Sequence, residues 1–545
     1  MSSPSSEQPQ ARNRPGSACA ECRRRKMRCD GKHPECTNCF TTGIECIFSP
    51  QTTRRGPKKG HLKSLQMRIA HLENRLIGQG HRHPTEAVTD NNPVPARPPS
   101  RGCIGESQLN ILLHEFHVPG TAPVPPSIGA IPISDLLHAE LDQLYFDRAH
   151  VFVPIVNRCR YLSWTKNVDK SVTQMSLQYA MWTMTASMSA QLDHLCDPLH
   201  RSARQLLESA QLADDHVAFY QIEHVQAWLV LAIYEFTHHK FHRGWMSAGQ
   251  GIRLVQMMNL HRIDLNENNL AFRRICGIEE LICEEEKRRV FWMAYVLDRF
   301  VSLRLENPLT FDERLIATRL PATEDAFQTG QLSQPTGLLS ELIAAGDSLP
   351  QTELTDWIVL ATLCGQSMSH RQQTTAEQVN CGISNGFWER HSWLDAILVQ
   401  KAQVISTLRP VVLAMPVDPM SLFLNLVAQS TLLSHYTAIE LLFGVAESNE
   451  MVLQCRQRAL MAAQEIVRLT GMVSQLSYFE IHPFMPLPAI LCAKFLMRQD
   501  MDASCALQLQ EILGTVQHLA SNNYMCQEWA IQHSYLFAPA DTSYP

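Results

Sequence analysis

Six cysteines between residues 19 and 46 constrain this chain more than any other feature. They read Cys19-Ala-Glu-Cys22-x6-Cys29-x6-Cys36-Thr-Asn-Cys39-x6-Cys46, so each half is a CxxC pair followed by a third thiol at the same interval. A tetrahedral zinc site needs four ligands, and a thiol trio offers three. Six thiolates therefore close two such sites only if two sulfurs each bridge both metals. Between Cys22 and Cys29 lies Arg23-Arg24-Arg25-Lys26-Met27-Arg28, a dense positive charge held against the metal centre. A metal-fixed backbone carrying such a run has the chemistry of a small DNA reader.

A disulfide framework is the alternative for these thiols, and it needs an oxidising compartment. The opening Met-Ser-Ser-Pro-Ser-Ser-Glu-Gln-Pro-Gln has no apolar core of a secretory signal. Other cysteines, among them Cys159, Cys276, Cys283 and Cys492, fall in apolar stretches and are expected as buried free thiols. The most apolar stretch, around 422–445, is broken by Asn425, Gln429, Ser434, His435 and Glu440. It falls short of the ~18 nearly uninterrupted apolar residues that a membrane helix needs, so no membrane partner is expected.

The formal net charge of −6 conceals an asymmetry. Residues 1–83 carry a balance of +10 and residues 84–545 one of −16. Six thiolates binding two Zn2+ would leave the first segment near +8, still strongly basic. A basic head on an acidic body assigns a polyanion partner to the head alone.

The segment CxxCRRRKMRCDGKHPECTNCFTTGIEC resembles the fungal Zn2Cys6 binuclear cluster of zinc-cluster transcription factors. The resemblance implies that Cys19 and Cys36 bridge the two Zn2+ while Cys22, Cys29, Cys39 and Cys46 complete the sites. It implies a short helix at the second ligand, with Lys26 as principal reader of a CGG-type triplet in double-stranded DNA and Arg25 beside it. Arg23, Arg28 and Lys32 then hold phosphates. The alternative is that all these cations act by charge only.

Organisation follows from texture. Residues 1–17, rich in Ser, Pro, Gln and Arg, are expected to be disordered. The zinc module spans 18–48, and a linker at 49–61 contains Arg54-Arg55-Gly56-Pro57-Lys58-Lys59, suited to phosphate tracking, to nuclear import, or to neither. Leu62, Leu65, Ile69, Leu72 and Leu76 are spaced 3-4-3-4, the seam of a short coiled coil over 62–77 that would pair two chains as a homodimer. About two heptads are marginal alone, so a surface helix with an apolar stripe remains the other reading. A Pro-rich linker covers 78–132.

From 133 to 534 the pattern is helical, as in Leu137/Leu141/Leu144 and Val225/Trp228/Leu229/Ala232, and predicts one large all-α domain of about a dozen helices before a tail at 535–545. Tyr145-Phe146-Asp147 with Val153-Pro154-Ile155-Val156, then Gly244–Arg262, Glu286-Lys287-Arg288-Arg289-Val290-Phe291-Trp292, Leu297-Asp298-Arg299, Asn307-Pro308 and Leu320-Pro321 are similar, in this order, to the fungal-specific transcription factor (middle homology) domain. Met258-Asn259 and Glu306-Asn307-Pro308 depart from that domain's small-residue turn and Gly-Arg-Pro.

No catalytic constellation emerges. His114-Glu115-Phe116-His117 lacks HExxH spacing, and Gly249-Gln250-Gly251 follows no strand and reads as helix packing. His238, His239 and His242 read as a histidine-rich helix end, and Glu284/Arg288 and Glu285/Arg289 as helical ion pairs. Asp298-Arg299 reads as an internal ion network. The fold class expected is a small binuclear cluster module, a short coiled coil and a large all-α regulatory domain. The function expected is a zinc-dependent, sequence-specific transcription factor in the nucleus, with the transcription machinery and a small-molecule effector as further partners. A small-molecule sensor or scaffold, or an enzyme with an accessory zinc module, would show ligand-dependent melting or a clustered set of titratable groups instead.

Overall fold

The computed structural model describes residues 18–32, 34–46, 134–212, 220–265, 277–332, 336–345, 352–380, 385–412, 416–443, 450–499 and 503–537. The chain divides into two compact units, 1–120 and 121–545. The expected coiled-coil seam Leu62–Leu76, both linkers and His114–His117 lie outside the described residues.

In the first unit two short helices, α1 (Ala20–Arg24) and α2 (Thr37–Thr42), each carry the second cysteine of a CxxC pair. So few residues cannot build an apolar core. Cys19, Cys22, Cys29, Cys36 and Cys39 form the buried centre in its place.

In the second unit every regular element among the described residues is helical. The first half contains α3 (Asp135–Leu144, running into a π-turn over Tyr145–Ala149), α4 (Arg158–Trp164), α5 (Val172–Ser187), α6 (Cys196–Leu212), α7 (Ile222–His238), α8 (Phe241–Met257) and α9 (Ile278–Leu305). Two short helices follow, α10 (Glu324–Thr329) and α11 (Leu339–Ala345). The second half is α12 (Glu353–Asn380), α13 (Asn385–Leu408), α14 (Pro419–Phe443), α15 (Glu450–Thr470), α16 (Pro486–Leu496), α17 (Ala503–Ala520) and α18 (Tyr524–Gln532). No helix among the described residues is long and apolar enough to cross a membrane.

Local chemistry sets the helix starts. Ser171 and Gln174 form a reciprocal capping box, with Ser171 Oγ accepting from Gln174 N at 3.2 Å and Gln174 Oε1 accepting from Ser171 N at 3.1 Å. Asn157 Oδ1 accepts from Arg160 N at 2.9 Å at the start of α4. Helices α5, α6, α8 and α9 pack around α7, which is buried on nearly all sides; α14 lies against α12, α13 and α15 in the other half.

The α7–α8 contact depends on glycine. A Cβ on Gly251 would stand 2.8 Å from Leu229 Cδ2, whereas one on Gly249 would meet nothing within 4 Å. Gly251→Ala should therefore cost about 1–3 kcal/mol through overpacking. Gly249→Ala should be neutral or stabilising by up to ~1 kcal/mol through helix propensity. Urea unfolding of the two variants checks this; equal effects would contradict the close approach. The GxG is helix packing.

The scattered motifs of the second unit meet around α9. Arg289 donates to Pro154 O at 2.9 Å, to Ala322 O at 2.9 Å and to Glu324 at 2.5 Å. Glu286 accepts from Asn157 N at 2.8 Å and pairs with Arg160. Arg288 pairs with Asp264, whose carboxylate also takes Arg319 N at 2.8 Å. Trp292 Nε1 donates to Arg319 O at 2.7 Å, and Ala317 N to His261 O at 2.8 Å. Segments far apart in sequence are thus fastened to one helix by buried charge-assisted hydrogen bonds. The expected pairs are present, Glu284–Arg288 at 3.5 Å and Glu285–Arg289 at 3.4 Å.

The two departures from the domain pattern both fall at left-handed backbone positions. Asn259 and Glu306 both sit in the left-handed region, at φ 54° and 58°. Asn tolerates that region better than most residues. Glu306 occupies it where the related pattern has glycine, and ends α9 there.

One expectation fails. Cys159 is exposed and Cys283 only half-buried, although Cys196, Cys364, Cys455, Cys492, Cys505 and Cys526 are buried free thiols. Helix α4 buries Tyr161 and Trp164, three apart on one face, and that leaves Cys159 on the opposite side.

Candidate nucleic-acid interface

The two halves of the zinc module are related by an offset of 17 residues, which superposes Cys19 on Cys36 in sequence. Their backbones end alike. Helix α1 closes with Lys26 at φ 54° and a hydrogen bond from Met27 N to Cys22 O at 2.9 Å. Helix α2 closes with Gly43 at φ 64° and one from Ile44 N to Cys39 O at 3.1 Å. Both are left-handed helix stops that satisfy an otherwise orphaned carbonyl. Glycine meets that geometry freely; lysine does so at a cost of about 1–2 kcal/mol.

The thiols are set for metal. Cys19 Sγ lies 3.7 Å from Cys36 Sγ and 3.6 Å from Cys39 Sγ, and Cys22 Sγ lies 3.6 Å from Cys36 Sγ. Zn–S bonds of about 2.3 Å in a tetrahedron give sulfur–sulfur edges of about 3.8 Å. Cys29 Sγ lies within 4.8 Å of Cys36 Sγ. Backbone N–H groups support the sulfurs, Cys22 N to Cys19 Sγ at 3.4 Å and Cys36 N to Cys46 Sγ at 3.3 Å. Such donors favour the thiolate that ligates zinc. Soft thiolates in a closed, buried group fit structural Zn2+.

The halves are also joined without metal. Asp30 takes Thr37 N at 3.1 Å and Thr37 Oγ1 at 2.5 Å, and Asn38 Nδ2 donates to Arg28 O at 2.6 Å. Sequence reasoning missed these ties because Asp30 and Thr37 belong to different cysteine trios.

Charge breaks the pseudo-symmetry. Where the first half carries Arg23, Arg24, Arg25, Lys26 and Arg28, the second carries Phe40, Thr41, Thr42, Gly43 and Glu45. The basic side chains are not equivalent. Glu21 takes Arg24 at 2.7 and 3.0 Å and Arg25 at 2.5 Å. The hydrogen bond from Arg24, joined by that from Arg25, holds the Glu21 carboxyl at about 2. Arg25 was expected beside the base reader on the helix, but the helix ends at Arg24 and the Arg25 guanidinium is committed to Glu21. Lys26, Arg28 and Lys32 are exposed, and Lys26 stands beyond the helix end rather than on it. The Arg23 side chain lies outside the described residues.

Two family models match the chain, the fungal Zn(2)-Cys(6) binuclear cluster domain over residues 17–55 and the fungal specific transcription factor domain over residues 143–375. A pigment biosynthesis transcriptional activator of Monascus ruber is 38% identical, over 97% of this chain and 95% of its own length. The chain belongs to the fungal Zn2Cys6 transcription factors. A citrinin biosynthesis transcriptional activator of Monascus purpureus is 37% identical over 95% of the chain and 93% of its own length. An azaphilone cluster-specific transcription factor of Aspergillus niger is 35% identical over 86% and 96%. No solved structure matches the chain.

As a Zn2Cys6 factor the protein binds two Zn2+ through its six cysteines and is a transcription factor, not an enzyme. The metals supply the folding energy that so small a module lacks. What remains for the chain's own residues is to present charge to DNA.

Proposed function

We propose that this protein is a nuclear activator of a secondary-metabolite biosynthetic gene cluster, reading paired CGG-type triplets as a homodimer. Its relatives' names support the pathway class. The observation that carries the reading mode is the contrast within the basic half. Arg24 and Arg25 are tied to Glu21, while Lys26 is exposed on a left-handed backbone that projects it past the helix end. Lys26 is then the base reader, Arg28 and Lys32 phosphate holders, and Cys19 and Cys36 the bridging thiolates. Leu62, Leu65, Ile69, Leu72 and Leu76 pair two chains so that the second triplet is read at high effective concentration.

Lys26→Gly separates reading from folding, because glycine suits the backbone that lysine strains. The variant should keep its zinc and gain up to about 1 kcal/mol of module stability, yet lose about 1–3 kcal/mol of discrimination between CGG and altered triplets. Arg28→Ala should weaken binding to all sequences alike and reduce the salt slope by about one. Competition binding at several salt concentrations checks both. An unchanged specific-to-nonspecific ratio in Lys26→Gly would refute the assignment. Mapping of bound sites should place paired triplets before one contiguous set of biosynthetic genes, whose transcripts fall when the protein is deleted.

A further inference from the structure

Helices α9, α12 and α13 and the segment 308–314 line a cleft of about 610 Å3 in the second unit. Clefts of that volume hold drug-sized molecules. One face of α12 supplies a polar wall, because Thr362, Gln366, Ser369 and Gln373 recur at the three- and four-residue spacing of a helix. His370 lies on the same helix, Arg299 comes from α9, and Arg390 and Trp393 come from α13. Trp393 is 55% exposed, which leaves an uncovered indole on the cleft wall.

What marks this cleft is unmet polarity. Four of its side chains carry buried polar atoms with no hydrogen-bond partner among the described residues: Arg299 Nε, Arg390 Nε, Gln366 Oε1 and both ring nitrogens of His370. Arg299 and His370 are themselves only 2 and 5% exposed. The remaining polar atoms of the other three are committed. Arg299 donates to Asp298 at 2.9 Å and to Phe311 O at 2.8 Å, Arg390 Nη2 to Glu377 at 2.9 Å, and Gln366 Nε2 to Glu313 at 2.8 Å. What is left is two guanidinium N–H groups, an imidazole N–H in either neutral tautomer, and one amide oxygen. Buried polar groups normally find partners, so a set gathered in one cleft asks for a ligand. Gly365, also on the wall, keeps the Arg299 N–H uncovered, since a Cβ there would stand 3.0 Å from Arg299 Cγ and 3.6 Å from its Nε.

We propose that this cleft binds a small hydroxylated aromatic acid. Its carboxylate takes the N–H groups of Arg299, Arg390 and His370, its hydroxyl donates to Gln366, and its ring rests on Trp393. A guanidinium cannot ligate a cation, and donors that outnumber acceptors call for an acceptor-rich ligand. A carboxylate offers two oxygens and about four lone-pair directions, and its bonds to guanidinium are charge-assisted. The exposed indole suits a flat ring, which stacks on it with little loss of freedom. Occupancy reaches the fold through Arg299. Asp298 and Arg299 hold Thr310 and Phe311, which belong to the segment that lines the cleft, so a ligand on Arg299 tightens the anchor between that segment and α9. The site stands on the second unit alone and is independent of how the zinc module reads DNA.

The test titrates the full, zinc-loaded chain with para-hydroxybenzoate, followed by saturation-transfer NMR and by melting temperature. A ligand of this size should bind saturably with a Kd on the order of 1 mM and raise the melting temperature. Ser369→Trp fills the cleft from an exposed position and should abolish both effects. Arg390→Met removes one donor from a partly exposed residue and should weaken binding at least about tenfold, which keeps the test decisive if Ser369→Trp fails to fold. Far-UV circular dichroism should stay helical in both variants. Neutral para-hydroxybenzamide and inorganic phosphate should bind much more weakly than the acid. No saturation well above that concentration, equal binding of the amide, tighter binding of phosphate, or binding unchanged in a folded Ser369→Trp or Arg390→Met chain would each overturn the site.

Discussion

Cys36→Ser should cost the protein both zinc ions of its cluster and its site-specific DNA binding together. Cys36 lies 3.7 Å from Cys19 and 3.6 Å from Cys22, is wholly buried, and receives the second half's support through its own N–H to Cys46. If it bridges, its loss leaves each metal three sulfurs, short of a tetrahedral set. Zinc contributes on the order of 10 kcal/mol to folding a small metal module, far more than the Asp30–Thr37 and Asn38–Arg28 ties can supply. The basic run would then be a disordered cation, still attracted to phosphate but with no fixed direction for Lys26. Affinity should fall to the nonspecific level, a loss of at least about 10³-fold at physiological salt. Cys46→Ser removes a half-buried sulfur from one site only and should leave one ion in place. Elemental analysis and competition binding check both. A fall of one zinc in Cys36→Ser, or retained sequence choice, would mean that Cys36 does not bridge.

What could be read from the sequence was local chemistry. The cysteine spacing states its own coordination problem, and the 3.6-residue pattern marks α3, whose Leu137, Leu141 and Leu144 fall on one face, whereas α7 is buried on nearly all sides and is legible as a long apolar run. The i,i+4 partners Glu285 and Arg289 were legible for the same reason. Their remaining partners, Pro154 O, Ala322 O and Glu324, were not, since nothing in a sequence states which distant segment returns to a helix. The left-handed stop at Lys26 was hidden because lysine carries no turn signal, although Gly43 at the matching place in the second half could have suggested it. The pairing of Arg25 with Glu21, four residues earlier, was open to the same i,i+4 reasoning but was not drawn from the sequence.

The second large effect should follow from Asp298→Ala, which is expected to destabilise the regulatory unit by about 3–5 kcal/mol. Asp298 is buried in α9 and accepts from Thr310 N at 3.0 Å, from Phe311 N at 3.2 Å and from Arg299 at 2.9 Å. Arg299 in turn donates to Phe311 O at 2.8 Å and stacks 3.4 Å over the Tyr295 ring. Deleting the carboxylate strands a buried guanidinium and two backbone donors at once, and the segment after Pro308 loses its anchor. Asp298→Asn keeps one acceptor oxygen and should cost clearly less. Replacing both partners by apolar residues of similar size, Asp298→Leu with Arg299→Met, should also cost less than Asp298→Ala, because no charge is then left unpaired. The exposed Arg314–Asp312 pair nearby, 3.0 Å apart, gives the contrast, since Arg314→Ala should leave stability almost unchanged. Urea unfolding of the four variants ranks them. An Asp298→Ala loss no larger than that of Arg314→Ala would show that burial adds nothing to this pair, and that α9 holds its neighbours by packing alone.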